Sequence, residues 1–175
     1  MDKWHAAIHE AGHAVIGRVL NMVCGDVSIV QDDDSVGYAI CSDQWEIYKE
    51  WQLQGHFRRD GDTESVILRG RIITFMAGAE AEAVIIGNCL GGDGDDRYQV
   101  RQMFETIAPG HDHRASERRL RRWTTTLCRR HIDRIKLLAE ELMRKDSLSD
   151  DDIRALIGIP KPAHDPWQAR HVVRS

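Results

Sequence analysis

No Cys-x-x-Cys pair, no Gly-Lys dipeptide and no run of about 18 uninterrupted apolar residues occurs in this chain of 175 residues. Each absence excludes a class. Cys24, Cys41, Cys89 and Cys128 are scattered, which argues against a zinc ribbon, a finger or a dithiol redox motif and reads as four reduced thiols. Without G-x-x-x-x-G-K-[ST] there is no nucleotide engine of that type, so the chemistry is expected to run without ATP. The longest apolar stretches, Ala14 to Val23 and Ile72 to Ile86, are broken by Arg18, Glu80 and Glu82, which leaves no membrane span or direct membrane anchor. No charged-then-apolar leader precedes the first helix, and a cytoplasmic location is the expectation. Charge of one sign is also scarce: a net charge of -4 and a pI of about 6.1 give no overall basic surface for nucleic acid or anionic lipid.

What is present, 42% hydrophobic and 30% charged residues, suits one globular domain. Residues 1–158 are expected to form it, with 159–175 as a flexible tail. Apolar residues at three- and four-residue spacing predict a helix from Asp2, its cap, through Leu20. The runs Val27 to Val30 and Val36 to Ile40, separated by Asp32-Asp33-Asp34-Ser35, predict a small antiparallel hairpin. Residues 43–62 mix Trp45, Tyr48 and Trp51 with charges, close on a loop signal at Arg59-Asp60-Gly61-Asp62, and carry no assigned element. A largely buried helix is predicted from Asp62 or Thr63 to Gly87, and another from Asp95 or Asp96 to Pro109-Gly110. One long helix, continuous or broken, follows over Ser116 to Lys145, and a short capped one over Ser149 to Ile157. The fold class is therefore mainly α (α+β), with a small sheet beside the first helix.

Inside that first helix lies His9-Glu10-Ala11-Gly12-His13, an H-E-x-x-H pentapeptide. Positions i and i+4 share a helix face, so both imidazoles reach one ion without bending the backbone. Zinc takes neutral histidine nitrogen at about 2.0–2.1 Å, and its catalytic sites use three protein ligands and leave one position open. Glu10, about 100° round the helix, is the natural general base for a water at that position. Gly12 inside a helix costs about 1 kcal/mol relative to alanine, which points to a close approach by another backbone or by the metal site. Spacing leaves the third ligand open among Asp93, Asp95, Asp96, Glu80, Glu82, Cys89, His111 and His113.

The pentapeptide, with Ala14 after it, resembles the signature of the FtsH-type zinc metallopeptidases, the proteolytic half of membrane-anchored AAA proteases. Ala77-Gly78-Ala79-Glu80-Ala81-Glu82, followed by Gly87, is similar to that family's G-G-R-x-A-E helix and its closing glycine. Gly92-Asp93-Gly94-Asp95-Asp96 before Val100 resembles the segment whose aspartate completes the zinc site. The likeness extends over most of residues 4–158, with Ala77 and Ala79 standing where the family has glycine and arginine. It implies zinc held by His9, His13 and Asp96, and Glu10 as the base in direct hydrolysis of a peptide bond; the residues by themselves leave Asp95, Glu82 or another group open in place of Asp96. It also implies that Glu82 orients a ligating histidine, and that an edge strand, for which Val36 to Ile40 is the candidate, holds an extended polypeptide. His111 or His113 would serve as an oxyanion donor only if placed near zinc; a solvated loop is the plainer reading.

The expected activity is thus a zinc metalloendopeptidase, a hydrolase acting on unfolded or extended polypeptides, with a homo-oligomer or a separate ATPase as partner. Two rivals keep the ion: a regulatory protease that cleaves one specific protein such as a repressor, and a catalytically idle metal-binding module. The eight arginines between Arg114 and Arg134 raise a nucleic-acid helix, but they alternate with Leu120, Trp123, Leu127 and Ile132 and share the segment with Glu117 and Asp133. That is the pattern of a solvated helix face, so no nucleic-acid partner is expected.

Overall fold

The computed structural model describes residues 2–22, 24–30, 37–53, 55, 63–90 and 93–159. The expected acidic turn at Asp32 to Ser35, the loop at Arg59 to Asp62, Gly91-Gly92 and the tail from Pro160 lie outside them. The described residues are mainly helical: α1 (Lys3–Val19), α2 (Gln44–Leu53), α3 (Thr63–Ile85), α4 (Gly94–Ile107), α5 (Arg114–Arg130), α6 (Ile132–Lys145) and α7 (Asp150–Ile157). A small antiparallel sheet of β1 (Cys24–Ser28), β2 (Tyr38–Cys41) and β3 (Ser147–Leu148) runs in the order β2-β1-β3. Among the described residues no helix is long and apolar enough to cross a membrane.

Helix α1 is the axis. Every residue from His5 to Arg18 is buried, because α3, α6 and the sheet surround it. The sequence stripe predicts a one-sided helix; the small residues Ala6, Ala7, Ala11, Gly12, Ala14 and Gly17 let neighbours close over the other sides as well. α3 lies antiparallel to α1, with contacts running from His9–Glu82 to His13–Thr74. A Cβ added to Gly12 would stand 2.6 Å from the Ala77 carbonyl oxygen and 2.8 Å from the Ala81 Cβ. The glycine expected to mark a close approach therefore marks the α1–α3 contact. Asp2 occupies the N-cap position of α1 without making a side-chain cap bond.

The structure fills in what the pattern reading left open. Residues 44–53 form α2, started by Asp43, whose carboxylate accepts from the amides of Trp45 (2.7 Å) and Glu46 (2.9 Å). Ile47 and Trp51, one turn apart, then pack with Met22, Cys24 and Ile67 in a second apolar cluster. The long C-terminal helix breaks at His131, which caps both halves; α5 packs on α3 and α6 on α1, and one straight helix could not reach both partners. β3 has two residues, too few for a periodic signal, and pairs with Val27 and Ser28. β1 begins earlier than its Val-rich run because Cys24 pairs with Cys41 across a bulge, and it ends at Ser28 as the Ile29 amide turns to the Asp146 carbonyl.

Arg18 ties the α1 terminus to the rest. Its side chain is buried and donates to the Ala14 carbonyl (3.0 Å), the Gly25 carbonyl (2.7 Å) and Asp150 Oδ1 (2.7 Å) at the start of α7. Partial burial would raise the Asp150 carboxyl, but bonds from Arg154 and Arg18 hold it below its ordinary value of 3.8. A depressed folded-state value stabilises above the unfolded value and ceases to do so as pH falls through the folded one. Asp150→Asn leaves a buried guanidinium without its counter-charge, and should cost about 2–3 kcal/mol in urea unfolding at pH 7. The gap from the wild type should close below about pH 4, as Asp150 itself becomes protonated.

Candidate metal centre

His9 and His13 stand one turn apart on α1 and meet Asp96 from the first turn of α4. His9 Nε2 and His13 Nε2 each lie 3.1 Å from the same oxygen, Asp96 Oδ2. One donor atom from each residue falls within 4.8 Å of the others, and this is the metal-competent cluster among the described residues. Donors about 2.0–2.1 Å from a tetrahedral centre are separated by edges of about 3.3 Å, close to the spacing observed.

The outer nitrogens decide how the inner ones are charged. His13 Nδ1 is 2.7 Å from the Thr74 carbonyl oxygen, a group that only accepts, so Nδ1 carries the proton. His9 Nδ1 donates across 2.6 Å to Glu82 Oε1, and His5 Nδ1 lies 2.9 Å from the other oxygen of the same carboxylate. Burial would push the Glu82 carboxyl up, but the bonds from His9 and His5 bring it below its ordinary value. It is an acceptor held between two rings. In the neutral rings each Nε2 then turns a lone pair towards a carboxylate oxygen, an arrangement that is favourable only with a positive charge between them. A proton supplies one: burial pulls the His9 imidazole down, yet bonding to Asp96 and Glu82 outweighs it and raises the ring to about 10. Asp96 is held well below the carboxylate range by His13 and His9 despite its burial. A divalent cation supplies the charge better, since it takes both lone pairs and the carboxylate at once. The donor set of two imidazoles and one carboxylate suits zinc.

Glu10 is buried beside this cluster, and among the described residues no side chain hydrogen-bonds its carboxylate. Burial pushes its carboxyl up from the ordinary value, with His13 and His9 pulling in the opposite direction. Gly37, just before β2, lies over it: a Cβ there would come within 3.2 Å of Glu10 Oε1. β2 is an edge strand of the sheet, and its Tyr38 and Ile40 are exposed.

Of the other residues that sequence leaves open as ligands, none joins the cluster. Asp95 is exposed in the first turn of α4. Asp93 is buried in a 2.6 Å pair with Arg97, and Glu80 faces α5, accepting from Thr125 (2.6 Å). Cys89 is close to Glu82, 3.7 Å away, but not to the donor atoms. His111 is exposed in the α4–α5 turn and His113 stacks on Phe104, so neither belongs to the site. Two residues of the site carry no expectation from sequence. His5 was legible, because His5, His9 and His13 recur every four residues along one helix face. Thr74 was not, since its contribution is a backbone carbonyl. No protein-family model matches the chain, and no curated protein matches it either.

Proposed function

We propose that the chain is a zinc metalloendopeptidase of the FtsH type, hydrolysing peptide bonds in unfolded or extended polypeptides in the cytoplasm. The observation that carries this reading is the two Nε2 atoms converging on one Asp96 oxygen, with Glu10 buried alongside. His9, His13 and Asp96 would hold the ion. When bound, zinc supplies Lewis acidity, which brings the pKa of a water down towards neutrality.

The remaining work falls to the protein. Glu10 accepts the proton from the attacking water and returns it to the leaving amine, a task its raised carboxyl favours. Glu82 and the Thr74 carbonyl fix the rings so that each Nε2 faces inward. The edge of β2 offers backbone hydrogen bonds to an extended chain, which gives affinity with little demand on side-chain sequence. Folded substrates present no such strand, and these residues hold no nucleotide loop to drive unfolding. Delivery by a separate ATPase, or work within a homo-oligomer, fits that reading.

Casein should therefore be cut, and a tightly folded protein of similar size left intact, with cutting abolished by chelation and restored by zinc. Asp96→Ala should lose both bound zinc and cleavage. Equal digestion of the two substrates would refute the preference for extended chains, and cleavage indifferent to chelator would refute the metal mechanism.

A further inference from the structure

Two of the four thiols, 17 positions apart in sequence, are brought together by the sheet. Cys24 and Cys41 are direct partners in the β1–β2 ladder. Side chains so placed have Cβ atoms about 4.5–5.5 Å apart, and a disulfide needs about 3.5–4.5 Å, a gap a small strand adjustment closes. The bulge between Cys24 and Val27 supplies local freedom for it. The two thiols are close enough to shift each other's ionisation.

Their surroundings divide the roles. Cys24 is buried, its sulfur packed over Gly17 of α1, and its thiol is held well above the ordinary value by the neighbouring Cys41 thiol and by burial. Cys41 is partly exposed on the edge strand, and the neighbouring Cys24 thiol, then the charge of Arg71, brings its thiol down to about 7. A partly exposed thiolate beside a protonated thiol is the arrangement of an attacking and a resolving cysteine. The other two cysteines provide the contrast. Burial pushes Cys128 up to about 12, and Cys89 sits against the Glu82 carboxylate.

We propose that Cys24 and Cys41 are a peroxide-oxidisable pair that closes a reversible disulfide between β1 and β2. In the first step the Cys41 thiolate attacks a peroxide oxygen and the O–O bond breaks. The leaving hydroxide takes a proton to become water, and sulfur, oxidised by two electrons, becomes a sulfenic acid. Cys24 sulfur then attacks Cys41 sulfur, the S–O bond breaks, and a second water departs with the thiol proton. Two thiols and one peroxide thus yield one disulfide and two waters, and a dithiol reductant reverses the change. The inference is independent of the peptidase reading.

The test treats the purified full chain with a few equivalents of hydrogen peroxide, alkylates the remaining thiols and maps peptides without reduction. A Cys24–Cys41 crosslink is expected, with Cys89 and Cys128 still alkylated and the crosslink lost after dithiothreitol. Cys24→Ala should leave Cys41 as a sulfenic acid trapped by dimedone. Cys41→Ser should slow oxidation at Cys24 more than tenfold. Wild-type protein in which Cys89 oxidises while Cys24 and Cys41 remain alkylatable would overturn the proposal. So would Cys41 passing to sulfinic acid with no crosslink; both outcomes are read on the unmutated chain and need no variant to fold.

Discussion

Glu10→Gln should keep zinc at the wild-type stoichiometry and lower peptide hydrolysis by about 10²–10⁴-fold, the range associated with removing a positioned general base. The metal is expected to stay because Glu10 supplies none of the donor atoms that converge between α1 and α4. Glutamine preserves the volume of a side chain that is 6% exposed, so packing against Gly37 should survive. What disappears is an acceptor that can ionise. The pH profile gives a second reading of the same variant. Burial raises the Glu10 carboxyl from 4.5, and the base works only when deprotonated, so kcat/KM should climb with pH along a limb above the ordinary carboxylate range. That limb should vanish in Glu10→Gln. Metal analysis alongside a peptide assay across pH decides the matter: full turnover in the variant would remove Glu10 from the role of base.

A single methyl group at Gly78 should be as damaging as loss of a ligand. An added Cβ there would stand 2.5 Å from both His9 Nε2 and His13 Nε2, closer than real Cβ atoms come to other heavy atoms. The rings have little room to yield, since their Nδ1 atoms are fastened to Glu82 and Thr74. On an exposed helix the same change would stabilise by about 1 kcal/mol. In Gly78→Ala, zinc affinity should fall by at least about 100-fold, at the upper end of what disturbed outer partners cost, and hydrolysis should fall with it. Circular dichroism should report a folded helical protein, because the collision is confined to two side chains. Competitive titration against a chelating dye measures the affinity; a wild-type value would mean that Gly78 does not face the ligand nitrogens.

Much of this site was written in local pattern. His9, Glu10 and His13 declare themselves because a helix repeats every 3.6 residues and the spacing needs no partner to be recognised. α3, α4 and α7 follow from apolar stripes with polar starts, and α7 begins with the Ser149–Asp152 capping box that its sequence suggests. Asp96 is different. Composition and spacing leave it level with Asp93 and Asp95, and only the likeness to a known segment singles it out; in the fold Asp96 meets His9 and His13 while Asp95 is exposed.

What depends on the other helix was less legible. Glu82, expected from the family likeness to orient a ligating histidine, bonds His9, but its second partner His5 and its full burial come only when α3 is laid against α1. The break at His131 has no proline or glycine to announce it, and arises because α5 and α6 serve different neighbours. Cys24 and Cys41 meet through strand register, a relation that no fixed spacing encodes. α2 shows the opposite case: the Asp43 cap and the four-residue step from Ile47 to Trp51 are short-range signals, masked by the charged residues around them.

Helix α1 is enclosed by α3, α6 and the sheet, whereas α4 buries only Val100, Met103 and Phe104 and lends Asp96 from its first turn. Of the three donors, two are fixed in the interior and one rides on a lightly anchored element. If His9, His13 and Asp96 hold an ion as proposed, the rate at which it is acquired or surrendered should depend on how easily α4 lifts away, more than on the pentapeptide that advertises the centre.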